Sequence, residues 1–439
     1  MSRTLIIDCN NKVGEKVTIC GFVQTRRDHG KIVFLDILDR SGLIQVVAMG
    51  DMALGLNSQD VVCIEGTVSN RPEHMINKNL STGEIEFQAE KIEILSKAED
   101  LPFDMGVKDL DLQLPTLLDF RSLTLRFPKV KDIFRVQAAL LDGFRNAAKK
   151  LDCVEIIVPT ISAGSTEGGA EVFKVDYYGH KGFLTQSPQL YKQMMVPVYE
   201  RVFTIAKAYR AEPSVTTYHL SESTQMDCEF GFVKFEDLLN YLETVAVEMI
   251  NESAKNCESI LKEFDVPMPK FGKIPRLTLR EAQEVIYKET GRDVRQEKDL
   301  ARQDEVDICV WALKEHGSDL VTITHFPTKK RAFYTKPDPA NPEFSLSYDI
   351  LFRGLEICSG SQRINDCQEL KDAIIERGMD PKNFELYLQA FKYGMPPEGG
   401  FSFGLERITM HLLNLANVRE ASLFPRDMER VDVRLSTLK

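Results

Sequence analysis

The sequence contains a glycine-rich, aromatic segment, residues 399–404, that runs directly into an apolar-periodic helix. Glycine lets a backbone approach a flat ligand closely, and the first turn of a helix offers free N–H groups to an anion. Arg407 stands at the junction, where its planar guanidinium could stack on a base or bind a phosphate. The segment therefore indicates a site for a ligand with an aromatic ring and negative charge.

Further residues whose side chains could bind a ligand or take part in a reaction lie upstream. Residues 209–212, Tyr-Arg-Ala-Glu, are followed by His219, and a helix-plus-strand unit closes earlier in the chain at Pro159. Asp349 and Glu356 lie seven residues apart in a strand-like region. Paired carboxylates on neighbouring strand positions can hold Mg²⁺ against a triphosphate.

The composition is that of an ordinary globular protein with room for two or three domains. The chain has 439 residues, of which 43% are hydrophobic and 28% charged. Nine cysteines without a C-x-x-C pair suggest neither a disulfide framework nor a zinc site. We find no signal peptide or long apolar run, so we expect a reduced, cytoplasmic protein with no membrane segment. The net charge of −11 argues against non-specific coating of nucleic acid but leaves local basic patches open.

The element pattern predicts an α+β protein with an N-terminal barrel. Five strand-like runs are Lys16–Thr25, Ile32–Leu38, Leu43–Ala48, Asp60–Val68 and Glu84–Leu95. Five short strands in 1–100 fit an OB-fold, a small β-barrel that binds single-stranded nucleic acid. Residues 101–125 are predicted to be a linker. Residues 126–439 are predicted to form a catalytic domain on a largely antiparallel sheet, with a helical insertion at about 236–320.

Taken in order, the pieces at Pro159, 209–219 and 399–407 resemble the three signature motifs of class II aminoacyl-tRNA synthetases. The segment Gln186–Gln193 narrows the resemblance to aspartyl-tRNA synthetases. The catalytic part is similar to archaeal and eukaryotic members through Ser165–Gly169, Gln186–Gln193, Arg353–Ile357 and Ser361–Ile364. The N-terminal part is more similar to bacterial members through Arg26–Gly30 and Gln45–Val47, without room for their large extra domain.

The resemblance implies an enzyme that activates L-aspartate with ATP and Mg²⁺ and transfers it to the 3′ end of tRNA-Asp. Arg210 and Arg407 would be catalytic, since the reaction needs positioning and charge neutralisation. The implied ATP-binding residues are Arg210, Glu212, Tyr218, His219, Leu220, Glu356, Gly404, Leu405, Glu406 and Arg407. The implied aspartate-binding residues are Glu167, Gln189, Lys192, Arg210, Ser359 and Arg363. The implied metal ligands are Asp349, Glu356 and Ser359.

Amino-acid selection and dimerisation have their own signals. The cationic pair Lys192 and Arg363 suits a side-chain carboxylate better than an amide, and asparaginyl enzymes differ at Pro188–Lys192.

We also expect a homodimer, because class II enzymes pair through the helix near Val130–Lys149 and the strand ending at Pro159.

The barrel carries residues that match the family's anticodon-binding pattern. Arg26, His29, Phe34 and Gln45 are the candidates, with Phe34 as the platform on which a base could stack. His29 and residues 71–74 lie where such enzymes choose between tRNA-Asp and tRNA-Asn. The sequence leaves that choice open.

Two positions depart from the family pattern. Members usually have an arginine where this chain has Tyr218, and a phenylalanine where it has Ser223. Three alternatives therefore stand beside a tRNA-Asp enzyme: an enzyme that charges both tRNA-Asp and tRNA-Asn, a catalytically weak RNA-binding paralogue, and an amide-forming enzyme without tRNA. The barrel and its linker disfavour the last.

Overall fold

A computed structural model describes residues 2–107, 109–164, 171–213 and 216–438. The chain divides into two compact units, residues 1–113 and 114–439. Within the described ranges, no helix is long and apolar enough to cross a membrane.

The N-terminal unit is a closed five-stranded barrel, so the OB-fold prediction is confirmed. Its strands are β1 (Lys16–His29), β2 (Ile32–Leu38), β3 (Leu43–Met49), β4 (Val61–Asn70) and β5 (Ile85–Ser96), joined in the order β1-β2-β3-β5-β4. Buried and half-exposed residues alternate along β2, as period-two strands require. The inward side chains, such as Val33, Leu35 and Ile37, fill the barrel core.

The barrel also contains a disulfide, which corrects the expectation of nine reduced cysteines. Cys20 on β1 faces Cys63 on β4, their Cα atoms are 4.1 Å apart, and their sulfur atoms are bonded. The sequence gives no sign of this pair, because 43 residues separate the two cysteines. Only the antiparallel register of β1 and β4 brings them together.

The larger unit is built on an eight-stranded, mostly antiparallel sheet, as predicted. Its strands in spatial order are β12 (Arg276–Thr278), β13 (Leu320–Thr324), β16 (Ser347–Phe352), β17 (Leu355–Gln362), β18 (Glu398–Gly404), β11 (Glu222–Gly231), β10 (Arg201–Tyr209) and β6 (Val154–Glu155). Smaller sheets contain β7 (Ile161–Ser162), β8 (Lys174–Tyr177), β9 (His180–Leu184), β14 (Pro337–Asp338) and β15 (Asn341–Ser345). The central strands β17, β18 and β11 form the floor on which the candidate site stands.

Helices cover this sheet. They are α1 (Leu114–Asp119), α2 (Arg121–Thr124), α3 (Pro128–Lys150), α4 (Gln189–Tyr199), α5 (Phe235–Asn256), α6 (Glu258–Glu263), α7 (Leu279–Thr290), α8 (Arg302–His316), α9 (Cys367–Glu376), α10 (Glu385–Lys392) and α11 (Leu405–Leu412). Proline at the first position starts α3, where its missing N–H costs nothing. The α3 stripe Ile133, Val136, Leu140 and Phe144 is buried in the main core, as its spacing predicts.

Residues 236–320 contribute to two different cores. α5 packs against α3 in the main core. α7 and α8 instead share a separate core with β13, which includes Ile286 and Ile308. This packing fixes the position of the first turn of α8, which lies close to the candidate site described next.

Candidate active site

A cavity of about 230 Å³ opens over β11, β17 and β18 at the start of α11. It is lined by Arg210, Tyr218, His219, Leu220, Ser223, Gln225, Glu356, Ile357, Cys358, Ser359, Ser402, Gly404, Glu406, Arg407 and Val418. We call it the central cavity. Most of the residues predicted to bind ATP are in this list, although they come from three separate parts of the sequence.

In the glycine-rich strand β18, glycine is needed mainly because neighbouring protein atoms leave no space for a side chain. A Cβ on Gly400 would lie 2.1 Å from the Cys228 carbonyl oxygen, and one on Gly399 would lie 2.4 Å from Leu238. Both glycines are therefore required by protein neighbours. Gly404 alone among the three lines the central cavity. The interpretation of the glycines as a surface for a flat ligand is thus wrong for Gly399 and Gly400.

The first turn of α11 places two charged side chains differently. Glu406 is buried and accepts hydrogen bonds from the Thr224 backbone N–H at 3.0 and 3.1 Å. Burial raises the pKa of its carboxyl. Arg407 extends into the cavity wall, where its Nη1 lies 3.3 Å from the Glu356 carbonyl oxygen and 3.7 Å from Glu356 Oε1. Leu405 beside them is buried in the main core and is not among the residues that line the central cavity.

Arg210 and His219 also line the central cavity. Arg210 follows β10, is about half exposed, and lies 4.0 Å from a Glu212 carboxylate oxygen. Its guanidinium is therefore accessible to a ligand in the cavity. Burial and the nearby Arg407 lower the pKa of His219, so its imidazole is neutral at pH 7.

The three predicted metal ligands lie on adjacent strands, and an arginine that the sequence analysis missed binds two of them. Asp349 on β16 pairs in register with Ser359 on β17. Arg331 Nη1 donates to Asp349 Oδ1 and to Ser359 Oγ, both at 2.9 Å. The pKa of Glu356 is raised to about 7 by burial and by the negative charge of Asp349.

These oxygen atoms suit Mg²⁺, which prefers carboxylate and hydroxyl ligands. Burial, and after it the charge of Asp349, disfavours the ionised form of Glu356, and a bound cation would favour that form. Because Arg331 now neutralises Asp349, a metal there would share that carboxylate with the guanidinium.

Three of the residues predicted to bind aspartate, Gln189, Lys192 and Arg363, form a buried cluster with Asp227 and Glu229 beneath the cavity, which we call the charge cluster. The predicted residues Arg210 and Ser359 line the central cavity instead. Lys192 Nζ lies 2.8 Å from Asp227 and 3.1 Å from Glu229. Arg363 Nε donates to Glu229 at 2.8 Å. Arg363 Nη2 contacts Gln189 Oε1 at 3.2 Å and the Gly400 carbonyl oxygen at 3.0 Å.

The cluster changes the electrostatic interpretation of Lys192 and Arg363. Burial alone would lower the pKa of Lys192, but Asp227 and Glu229 outweigh it and the pKa is raised. Burial would likewise raise the pKa of Glu229, whereas Arg363 and Lys192 lower it. The two cations are therefore paired with protein carboxylates, which the sequence-based interpretation of Lys192 and Arg363 as a cationic pair for a substrate carboxylate did not include. Alternating acids at 227 and 229 on β11 share one strand face, a signal the sequence analysis did not use.

The remaining predicted residues have varied positions. Glu167 lies outside the described residues. In the barrel, Phe34 is half-buried on the outer face, with His29 at 5.5 Å between ring centroids, and Gln45 pairs in register with Asp36. Arg26 is occupied by the Ala53 and Leu56 carbonyl oxygens, so its guanidinium has a structural role that the sequence did not indicate.

Comparison with known proteins places both units in families. Residues 113–428 match the tRNA synthetases class II (D, K and N), and residues 17–95 match the OB-fold nucleic acid binding domain. The chain is 40% identical to a Thermus thermophilus protein named aspartate–tRNA(Asp/Asn) ligase, across 98% of this chain and 99% of that one. It is 37% identical to a Pyrococcus abyssi protein named aspartate–tRNA(Asp) ligase, across 95% and 96%.

Solved structures have the same architecture. A putative aspartyl-tRNA synthetase from Leishmania major superposes with a TM-score of 0.89 at 27% identity, covering 98% of this chain and 95% of that one. The asparaginyl-tRNA synthetase from Pyrococcus horikoshii, complexed with asparaginyl-adenylate, gives 0.87 at 29% identity over 96% and 97%. The family match spans the sheet, the central cavity and the charge cluster. This chain belongs to the class II tRNA synthetases of the D, K and N group.

Proposed function

We propose that this chain is an aspartate–tRNA ligase, which forms aspartyl-adenylate from L-aspartate and ATP and transfers the aspartyl group to tRNA-Asp. The observation that carries the proposal is the placing of a cavity with Arg210 and Arg407 directly over a charge cluster containing Lys192 and Arg363. A cavity with two arginines thus adjoins a cluster whose guanidinium and ammonium donors could be shared with a small acidic side chain. The names of the full-length relatives agree with this assignment.

The cavity residues would act by positioning. Arg210 is accessible and can bind the attacking carboxylate and the α-phosphate together by paired N–H donors. Glu212 would accept from the adenine amino group. Arg407 would neutralise charge on the phosphates as pyrophosphate leaves. None of these steps needs a covalent enzyme intermediate.

Mg²⁺ would be held by Asp349, Glu356 and Ser359. Its chemistry when bound is to screen the triphosphate charge and favour release of pyrophosphate. Arg331 would keep the Asp349 carboxylate and the Ser359 hydroxyl oriented toward the same point. The function of Arg331 is therefore to position two ligands that lie on different strands.

Aspartate would be selected because its side-chain carboxylate can replace some of the contacts that the protein makes within the charge cluster. The weaker contacts of Arg363 Nη2, to Gln189 at 3.2 Å and Glu229 at 3.5 Å, are those that a substrate carboxylate would replace. Asparagine could accept through its carbonyl oxygen but would direct its NH₂ group toward donors. An unmatched buried polar group of this kind gives strong selectivity against the amide.

The tRNA would be recognised by the outer face of the barrel, where Phe34 and Gln45 are accessible. We propose tRNA-Asp as the partner, with tRNA-Asn as the second candidate because the Thermus relative is named for both tRNAs. We further propose a homodimer that works in the cytoplasm, where tRNA is charged for translation.

The direct test is aminoacylation of tRNA-Asp and tRNA-Asn transcripts with labelled aspartate, and with asparagine as the control. The proposal predicts charging of tRNA-Asp with aspartate and none with asparagine. Charging of both tRNAs with aspartate would identify the broader enzyme. Binding of tRNA without any charging would instead support the RNA-binding paralogue and overturn the proposal.

A further inference from the structure

The entrance of the central cavity has little positive charge for a ligand as acidic as a triphosphate. Among its lining residues, the permanent cations are Arg210 and Arg407, and Arg407 is already close to Glu356. Tyr218 is uncharged, and the lowered pKa of His219 leaves that ring neutral. A further cation at this entrance would therefore matter for nucleotide binding.

Arg302, the first residue of α8, is a cation that contacts Tyr218, one of the residues that line this cavity. Its guanidinium carbon lies 4.7 Å from the centroid of the Tyr218 ring, a cation–π distance. Arg302 Nη1 also donates to Glu305 Oε2 at 3.1 Å, and the side chain is 36% exposed. Hydrogen bonding by Arg302 is the main cause that lowers the pKa of the Tyr218 hydroxyl. Two contacts therefore hold the guanidinium against a residue that lines the cavity.

Glu305 lies near both Arg302 and the cavity-lining Arg407. Burial raises the pKa of Glu305, whereas Arg302 and Arg407 both lower it, so the two arginines lie near the same carboxylate. α8 also packs against β17, the strand that carries Glu356 and Ser359. The first turn of α8 therefore lies beside Tyr218 and β17 at the edge of the central cavity, although the sequence places it in a segment with no recognised motif.

We propose that Arg302 binds the β- and γ-phosphates of ATP, with Tyr218 as the platform that fixes its guanidinium at the cavity entrance. This inference rests on the proposed function and adds a substrate-binding residue to it. Arginine suits the role because its fork of five N–H donors can contact Glu305 and phosphate oxygens at once.

Calorimetric titration of the full-length protein with ATP, and separately with AMP, tests the proposal without amino acid or tRNA. Arg302→Gln should weaken ATP binding about 10-fold through loss of a charge-assisted contact. AMP lacks the β- and γ-phosphates, so its affinity should change by less than about twofold. Arg302→Lys, which keeps the charge, should recover part of the ATP affinity.

Arg295→Gln is the matched control. Arg295 also stacks on a tyrosine, Tyr287, at 4.1 Å and also pairs with an acid, Asp293, but neither of these partners lines the central cavity, whereas Tyr218, the partner of Arg302, does. It should leave both nucleotide affinities unchanged. Unchanged ATP affinity in Arg302→Gln, or equal losses for ATP and AMP, would overturn the proposal. A wild-type protein that binds ATP but shows no aspartate-dependent chemistry would refute the proposed function while leaving the Arg302 result valid.

Discussion

At the residue scale, Arg210 and Arg407 are the groups on which adenylate formation should depend most. Both line the central cavity, and each would contact a group whose negative charge rearranges in the transition state. We expect Arg210→Ala and Arg407→Ala each to lower the rate of aspartate-dependent ATP–pyrophosphate exchange at least about 100-fold. A variant that keeps more than about a tenth of the wild-type rate would show that its assigned role is wrong.

Arg363 should control the choice between aspartate and asparagine. Arg363→Leu removes the guanidinium donors of the charge cluster and leaves Glu229 in contact with Lys192 and Gln189. The aspartate kcat/KM should therefore fall much more than the asparagine value, while the unfolding free energy falls by about 3 kcal/mol or more. Exchange assays with both amino acids and urea unfolding measure the two effects. Equal losses for both substrates would mean that Arg363 acts only through stability.

The sequence predicted the residues that line the cavity better than it predicted the other side chains that contact them. Arg210, His219 and Arg407 are recognisable because each belongs to a short motif with local spacing. Arg331 and Arg302 carry no such pattern, because their partners Asp349 and Tyr218 are distant in sequence and meet them only through the fold. The neutralisation of Lys192 likewise depends on which face of β11 turns inward.

At the scale of elements, the barrel strands were predictable and their cross-link was not. Alternation of buried and exposed residues is local, whereas the facing of Cys20 and Cys63 depends on how β1 and β4 pair in register. Period-two patterns therefore locate strands without specifying which residues become neighbours.

The disulfide gives a prediction for this unit. Thiol titration of unreduced, denatured protein should count seven free cysteines, and reduction should raise the count to nine. Cys20→Ser with Cys63→Ser should lower the unfolding free energy of the barrel by about 2–4 kcal/mol, because the bond closes a long loop in the unfolded chain. Nine reactive thiols before reduction would contradict the pairing.

At the scale of the whole molecule, an exposed apolar edge supports the homodimer. β6 is the last strand of the large sheet, and Ile157, which follows it, is 98% exposed. Val154 on β6 and Ile161 on β7 are also 42% and 44% exposed, and a group of exposed apolar side chains beside an open sheet edge is typical of an interface. Ile157→Lys should convert a dimer into a monomer in analytical ultracentrifugation. Leu54→Lys, at an 80% exposed residue of the barrel, is the control that should leave the dimer intact. A wild-type monomer at micromolar concentration would refute this expectation.

Aspartate activation is the central claim, and ATP–pyrophosphate exchange measures it most directly. The assay should compare aspartate, asparagine and lysine, since the family includes enzymes of all three groups. We predict exchange that depends on aspartate, with a kcat/KM for asparagine lower by at least about 10⁴-fold because the NH₂ group of asparagine would be directed toward the N–H donors of Arg363. Exchange driven by asparagine or lysine in preference to aspartate, or no exchange with any of the three, would contradict the account.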